Sequence, residues 1–489
     1  MSTETTPQDL DTILSAAVPA SAAWAATSPA QRAEALGAVA DAMDAAAETL
    51  LPLAQEESHL LPGRLKGELA RTTFQLRLFA ETLVSGDYLD ARIDHSDPDW
   101  PMGARPDLRR VLEPIGPVLV FAASNFPFAF STIGGDSASA LAAGNAVVLK
   151  VHPGHPRLSA ATAEVVRSAL DAAGAPADLF QIITGQDAGS AAVQDPRIKA
   201  AGFTGSIPGG RALFDLAVSR PDPIPFYGEL GSNNPVFVTE AAAEADAEAI
   251  LEGFVGSFTL GAGQFCTKPG TLLVPAGSAL ASKLATVTLP GAAPLLNERI
   301  ASGYEATLGQ LEADPRFTVL AGGAGAADGA GVALSPAPTL LRVSAEDMLA
   351  DPAPLQRECF GPTSVVVEYQ DESQLVELAR TFEGQLTATV FGTAADEVQE
   401  LYRVLASVAG RVLWRQWPTG VSVTYAQQHG GPYPATTAVG STSVGTAAIT
   451  RFLRPVAYQG TPQHLLPEPL QDANPWHVPQ RIDGLRPQP

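Results

Sequence analysis

The feature that most limits the fold is an alternation beginning at Gly116. Short apolar runs at 118–122, 146–151, 179–184 and 200–203 read as buried strands. Small-residue segments at 131–143 and 158–173 read as helices between them, and each stops at a glycine, Gly144 and Gly174. Glycine suits the left-handed turn just past a helix end. Strand–helix units repeated in this way need crossover connections, which give a parallel, doubly wound sheet. Such a sheet binds ligands beyond the carboxyl ends of its strands. A second alternating block runs over 234–421.

The flanks read differently. Up to about residue 90 the chain reads as helical. Ser28-Pro29-Ala30-Gln31 has the form of a capping box with proline at the first helical position, and Leu36, Val39, Met43 and Leu50 recur at helical spacing. A second helix is expected over 67–83. Segment 94–105, rich in Asp and Pro, reads as a loop or exposed hairpin. The end of the chain, with Pro462, Pro467, Pro469, Pro475 and Pro479, reads as an extended tail.

Composition narrows the function. At roughly 150 residues per unit, 489 residues suggest about three. An apolar content of 46% excludes a mostly disordered chain, and a net charge of −22 argues against nucleic acid as a partner. Two cysteines exclude a disulfide framework or a cysteine-rich zinc module. No basic–apolar leader opens the sequence and no uncharged apolar run reaches about 20 residues, so no membrane partner and a cytoplasmic location are expected.

Several short segments can carry chemistry. No G-x-G-x-x-G follows a strand; the Gly322–Gly331 run reads as a surface loop. The segment from Phe203 to Arg211 follows a strand and opens a helix expected over 211–218, so it is either an ordinary turn or a pyrophosphate cradle on free N–H groups. Cys266, in Gly263-Gln264-Phe265-Cys266-Thr267, is either a buried structural thiol or a nucleophile that its glycine-bearing flank lets a ligand approach. Cys359 lacks such flanks and reads as structural. Glu229, between Gly228 and Leu230-Gly231, is either an exposed loop acid or a partly buried base with a raised pKa. Asn125 follows a strand and is either a turn residue or an amide donor to an oxyanion. Lys150 ends a strand, where a lysine commonly snorkels. His152 and His155 are separated by prolines and have no carboxylate cluster beside them in sequence, so no metal is expected. No Gly-x-Ser-x-Gly elbow offers a serine nucleophile.

As an ordered set these motifs resemble the aldehyde dehydrogenase superfamily. Ser124-Asn125-Phe126-Pro127, Lys150, Phe203-Thr204-Gly205-Ser206, Glu229-Leu230-Gly231, Gly263-Gln264-Phe265-Cys266-Thr267 and Glu358-Cys359-Phe360-Gly361-Pro362 follow in order, with 37 residues from Glu229 to Cys266. The likeness spans about residues 28–460. Within the superfamily the sequence is most similar to α-ketoglutarate semialdehyde (2,5-dioxovalerate) dehydrogenases, through Gly67-Glu68-Leu69-Ala70-Arg71-Thr72-Thr73, Gly134-Gly135-Asp136-Ser137, Glu383-Gly384-Gln385-Leu386, His429-Gly430-Gly431-Pro432, Thr442-Ser443-Val444-Gly445-Thr446 and Arg451-Phe452-Leu453-Arg454-Pro455. Trp414-Arg415-Gln416-Trp417 departs from that pattern.

The resemblance implies roles. Cys266 is the nucleophile that attacks an aldehyde, Asn125 with the Cys266 N–H holds the oxyanion, and Glu229 activates water against the thioester. Lys150 contacts the adenosine ribose or its 2′-phosphate, Gly205 and Ser206 the pyrophosphate, Glu358 the nicotinamide ribose, and Phe360 packs by the nicotinamide. Pro153 stands where many NAD-preferring relatives carry glutamate, so NADP is the expected cofactor, with NAD also accepted. Arg71 is the candidate for the far carboxylate of an acidic semialdehyde and Arg415 a second. The implied fold is α/β: a cofactor-binding part over 1–95, 115–233 and 425–447, a catalytic part over 234–424, an oligomerisation element over 96–114 and 448–460, and a tail over 461–489. A homodimer or homotetramer built by strand addition is expected. Other readings are an aldehyde dehydrogenase for aliphatic, aromatic or succinic substrates, an enzyme passing its thioester to coenzyme A, and a non-enzymatic binding protein on this fold.

Overall fold

The computed structural model describes residues 4–322 and 335–485. Of the Gly322–Gly331 run only Gly322 is among them; the rest lies outside the described residues. Four helices come first: α1 (Pro7–Ala25), α2 (Pro29–Ala45), α3 (Ala47–Ser58) and α4 (Pro62–Ser85). The capping box forms as read: Ser28 Oγ accepts from Gln31 N and Gln31 Oε1 accepts from Ser28 N, at 3.3 and 2.9 Å. Helix α2 buries Leu36, Val39 and Met43 against the rest of the core. Helix α4 starts five residues earlier than the expected 67, because Pro62 supplies the preset φ of a first helical turn.

Strands β1 (Ala91–Asp94) and β2 (Leu108–Pro114) pair antiparallel, and an Asp97–Arg105 bridge folds the intervening loop back on itself. The alternation then appears as β3 (Val118–Phe121), α5 (Gly135–Ala143), β4 (Val147–Lys150), α6 (Pro156–Ala172), β5 (Phe180–Ile183), α7 (Gln186–Gln194), β6 (Ala200–Thr204), α8 (Ile207–Val218) and β7 (Phe226–Glu229). Helix α5 begins later than the expected 131. A Cβ on Gly134 would lie 2.3 Å from the Ala129 carbonyl oxygen, so 131–134 is a tight turn and not a first helical turn. The five strands form a parallel sheet in the order β5-β4-β3-β6-β7. The winding direction reverses between β3 and β6, the switch point past whose carboxyl ends sheets of this kind bind ligands in a crevice.

The second block forms a larger sheet from β8 (Val236–Val238), β9 (Thr271–Pro275), β10 (Thr318–Ala321), β11 (Thr339–Ser344), β12 (Thr363–Tyr369), β13 (Gln385–Phe391) and β14 (Ala409–Trp414). Its order is β10-β11-β12-β9-β8-β13-β14, parallel except at β10. Strands β9 and β13 are buried along their whole length, as central strands covered on both faces must be.

Strands β15 (Leu453–Gln459) and β16 (Gln480–Ile482) complete a third sheet, β15-β2-β1-β16. The proline-rich segment is therefore not an extended tail. Its prolines allow only short 3₁₀ turns, but Leu466, Leu470 and Val478 between them are buried, and Arg109 donates to the Leu470 carbonyl at 2.7 Å. Among the described residues no helix is long and apolar enough to cross a membrane.

Candidate active site

The first sheet offers the carboxyl ends of its strands and the second sheet offers amino ends. Asn125 lies just after β3, Lys150 ends β4, Gly205 and Ser206 follow β6, and Glu229 ends β7. Opposite them, Asn234 precedes β8, Cys266 precedes β9, Glu358 and Phe360 precede β12, and Gln385 opens β13. Two sets of loops, far apart in sequence, thus meet at one seam.

The loop carrying Cys266 is tightly fixed. Gly261, Ala262 and Gly263 all have positive φ, and a Cβ on Gly263 would fall 2.1 Å from the Gly361 carbonyl oxygen, so only glycine fits there. Asn125 Nδ2 donates to the Gln264 carbonyl at 3.2 Å. Asn234 Nδ2 donates to the carbonyls of Cys266 and Lys268, at 2.8 and 2.9 Å. Gln385 Oε1 accepts from the backbone of Asn233 and Asn234 and from Ser232 Oγ. The buried Lys268 ammonium donates to the carbonyls of Cys359, Gly361 and Thr363 at 2.6, 3.2 and 2.7 Å. One lysine therefore ties the Cys266 loop to the loop that carries Glu358.

At the centre stand Cys266, His429 and Glu229. Cys266 Sγ is 3.6 Å from His429 Nε2, which is 2.8 Å from Glu229 Oε1. Ser443 Oγ donates a short hydrogen bond to Glu229 Oε2. The His429 backbone is held from both sides: its N–H donates to Thr442 Oγ1 and its carbonyl accepts from Ser443 N, at 2.8 and 2.9 Å. Cys359 is buried in the second sheet's core.

Glu229 corrects the expected raised pKa. Burial does push its carboxyl up, but the facing His429, with hydrogen bonds from His429, Ser443 and Cys266, outweighs burial and holds it below the usual carboxylate range. Burial, followed by the charges of Glu229 and Glu358, pushes the Cys266 thiol well above its ordinary value, while Arg411 pulls the other way. At rest the pair is a neutral thiol beside an ionised carboxylate.

Helix α4 turns one face toward this centre. Arg64, Glu68, Arg71 and Gln75 recur at spacings of three and four residues. Glu68 accepts from the backbone of Phe128 and Ala129, fixing the turn after Asn125. Arg64 donates to the Asn125 carbonyl at 2.6 Å and lies over the Phe265 ring, 4.5 Å from its centroid. The Arg71 guanidinium packs over Phe130, and its charge faces Glu68, Cys266 and Glu229; its Nη1 has no hydrogen-bond partner among the described residues. Arg411 donates to the carbonyls of Pro418 and Gly420, and its charge also faces Cys266. Arg415, the second candidate from sequence, is elsewhere: its guanidinium is engaged with Asp246 and the Gly392 carbonyl, both at 2.7 Å.

Along the crevice, a Cβ on Gly231 would lie 2.5 Å from Glu358 Oε2, so glycine there makes room for the carboxylate. Burial raises the Glu358 carboxyl to about 7, against opposing contributions from Lys268 and the Ser232 N–H. Ser206 caps α8 and is exposed with Gly205 at the helix start, and Phe360 is half-buried. Lys150 forms no ion pair among the described residues; burial and then the Arg299 charge draw its pKa down. His152 and His155 stack, and both ring nitrogens of His155 are engaged by the Ala123 carbonyl and Ser159.

Sequence reasoning passed over His429, Ser443, Arg411, Lys268 and Asn234. The available signals were the His429-Gly430-Gly431-Pro432 and Thr442-Ser443-Val444-Gly445-Thr446 motifs, which carried the resemblance without roles.

With this geometry in hand, the chain can be compared with known proteins. The model of a family described as the aldehyde dehydrogenase family matches residues 2–454. An alpha-ketoglutaric semialdehyde dehydrogenase of Acinetobacter baylyi is 41% identical over 489 residues, 99% of this chain and 92% of the relative. An alpha-ketoglutaric semialdehyde dehydrogenase 2 of Azospirillum brasilense is 43% identical over 94% of this chain and 89% of that one. A solved methylmalonate-semialdehyde dehydrogenase from Oceanimonas doudoroffii superposes with a TM-score of 0.78 at 19% identity, covering 95% of this chain and 92% of the other. A 3,6-anhydro-L-galactose dehydrogenase in complex with NAP gives 0.76 at 21% identity, over 93% and 92%.

Proposed function

This chain belongs to the aldehyde dehydrogenase family, and from that premise we propose that it oxidises α-ketoglutarate semialdehyde to α-ketoglutarate with NADP preferred over NAD. The observation that carries this reading is the seam itself: a thiol, an ionised carboxylate and an amide donor at the meeting of the two sheets, with two arginine charges facing the thiol.

In this reading Cys266 Sγ adds to the aldehyde carbon as its proton passes to the Glu229 carboxylate. The oxygen of the resulting thiohemiacetal is held by Asn125 Nδ2 and the Cys266 N–H. A nicotinamide held there would supply the hydride acceptor, and Cys266 would then carry the acyl group as a thioester. Glu229 gives the Cys266 proton up to solvent, then takes one from water as the water attacks the thioester, and passes it to the departing Cys266 sulfur, so that the acid leaves and the thiol is restored. An ionised, water-activating Glu229 favours hydrolysis over transfer to coenzyme A.

The crevice suits the cofactor. The exposed first turn of α8 at Gly205 and Ser206 would receive the pyrophosphate, Glu358 over Gly231 the nicotinamide ribose, and Phe360 the nicotinamide. Lys150, which forms no ion pair among the described residues and feels the charges of Arg299 and Glu4, would meet a 2′-phosphate, and Pro153 stands where a carboxylate would repel it. Arg71 and Arg411 would meet the far carboxylate of the substrate. We read 1–95, 115–233 and 425–447 as cofactor-binding, 234–424 as catalytic, and 96–114 with 448–460 as the oligomerisation element of a homodimer or homotetramer.

The test is reduced-cofactor formation with α-ketoglutarate semialdehyde, succinic semialdehyde, hexanal and benzaldehyde, each with NADP and NAD, for wild type and Cys266→Ala. The highest kcat/KM is expected for the acidic five-carbon substrate with NADP, and none for Cys266→Ala. A neutral aldehyde in first place overturns the substrate assignment, and a strong NAD preference overturns the cofactor assignment.

A further inference from the structure

Three side chains at the seam carry a capacity that aldehyde oxidation does not use. Cys266 Sγ, His429 Nε2 and a Glu229 carboxylate oxygen all lie within 4.8 Å of one another. Thiolate, imidazole and carboxylate are the ligand types that zinc takes, with Zn–S about 2.3 Å and Zn–N and Zn–O about 2.0–2.2 Å. Tetrahedral angles at those lengths put ligand atoms about 3.3–3.6 Å apart. The Sγ–Nε2 separation of 3.6 Å already fits, and the Nε2–Oε1 separation of 2.8 Å needs to widen by only about half an ångström.

We infer that Cys266, His429 and Glu229 form a binding site for a borderline-soft divalent transition metal such as Zn²⁺, whose occupation reversibly closes the nucleophile.

The surroundings favour such a site. His429 and Glu229 are 1% and 3% exposed, so both are already desolvated and fixed. Ser443 orients Glu229 from its far oxygen, as a supporting hydrogen bond does for a ligating carboxylate. His429 Nδ1 has no partner among the described residues, so it can take the imidazole proton, and the Nε2 hydrogen bond to Glu229 is exchanged for coordination of both groups to the metal. Three protein ligands leave a fourth position for water. The proton count closes. The thiol ionises on binding and releases its proton to solvent, and the carboxylate stays ionised. The two negative ligands match the metal's charge, and Arg71 and Arg411 then face a neutral centre in place of an anionic one. A thiolate whose electron pair is shared with the metal cannot add to an aldehyde.

That consequence for turnover rests on the aldehyde-oxidation reading; the binding itself does not. The experiment is titration of the full chain with Co²⁺, and then with Zn²⁺ competing against a chromophoric chelator. One Co²⁺ per chain, a near-ultraviolet thiolate-to-cobalt band and one proton released are expected. Cys266→Ser should abolish the band and Cys359→Ser should keep it. His429→Phe should weaken Zn²⁺ at least about a hundredfold, and Glu229→Gln provides a second ligand variant should the first not fold. Zn²⁺ should stop aldehyde oxidation by the wild type, and a chelator should restore it. Absence of the band, or affinity unchanged in both ligand variants, overturns the inference. A band in a protein that oxidises no aldehyde keeps the metal site and removes the proposed function. Oxidation with neither band nor chelator-reversible inhibition does the reverse.

Discussion

Lys268→Met tests whether one buried ammonium holds the two halves of the seam together. Lys268 is 2% exposed and donates to three carbonyls of the 359–363 segment. Methionine fills a similar volume but leaves all three acceptors without that donor. Hydrogen bonds to a charged group contribute about 1.5–3 kcal/mol each. Relief of the buried charge offsets part of that, and removing one partner from a buried charged arrangement costs about 3–5 kcal/mol. Taking about 4 kcal/mol, with an unfolding entropy of about 2.1 cal/mol/K per residue, Tm should fall about 4 °C if all 489 residues melt together. It should fall about 10 °C if the part over 234–424 melts alone. Kinetics should change too. Lys268 is the cation that pulls the Glu358 carboxyl down, so its removal should move Glu358 above its present value of about 7. The pH at which cofactor KM improves should rise with it. Misplacement of the two loops by about 1 Å should lower kcat/KM about a hundredfold. Scanning calorimetry and a cofactor-KM profile across pH measure both effects. A Tm within about 1 °C of wild type together with an unmoved profile would refute the argument.

Five further outcomes are expected. Glu229→Gln should slow the burst of reduced cofactor as well as the steady rate, the latter about 10²–10⁴-fold; a burst at the wild-type rate would show that Glu229 acts only after the thioester. Because Glu229 is held below the usual carboxylate range, the wild-type steady rate should lose its contribution only as pH falls below that range; an inflection near neutrality that vanishes in Glu229→Gln would contradict this. With its pKa raised to about 7, the Glu358 carboxyl accepts ribose hydroxyls more strongly once ionised, so cofactor KM should fall as pH rises through 7, and Glu358→Gln should flatten the profile. Arg71→Ala and Arg411→Ala should each raise KM for acidic semialdehydes far more than for hexanal; equal effects would reject a carboxylate role. Strands β14 and β15 each leave an outer edge unpaired among the described residues, and light scattering should find a dimer or tetramer; a monomer would remove strand addition as the mode of assembly.

Much of the architecture follows from local physics that a sequence displays directly. Ser28 and Gln31 cap a helix because each side chain reaches a backbone group three residues away. Gly144 and Gly174 stop helices because both sit at positive φ. Continuous apolar runs become central strands because a sheet covered on both faces exposes neither. The same reasoning brings Asn125, Lys150 and Gly205 to one end of one sheet, since each follows or ends an expected strand; that Glu229 ends a fifth strand, β7, appears only in the structure. It did not find the packed prolines beyond residue 460, where the burial of Leu466, Leu470 and Val478 depends on a core built from segments hundreds of residues earlier.

The chemistry of the seam lies on the other side of that line. His429 is 163 residues from Cys266, and Ser443 is 214 from Glu229. No periodicity links residues so far apart; only the stacking of one sheet's carboxyl ends against another's amino ends brings them together. That meeting reverses the expected shift at Glu229, because a buried carboxylate is raised by desolvation alone but lowered once an imidazole and two further donors face it. It also selects among arginines, turning Arg71 and Arg411 toward the thiol while Arg415 is held by Asp246. Residue types and their local spacing determined which groups were available for chemistry. Long-range packing decided which of them share a charge environment, because electrostatic coupling depends on distance in space and on burial, and sequence separation measures neither.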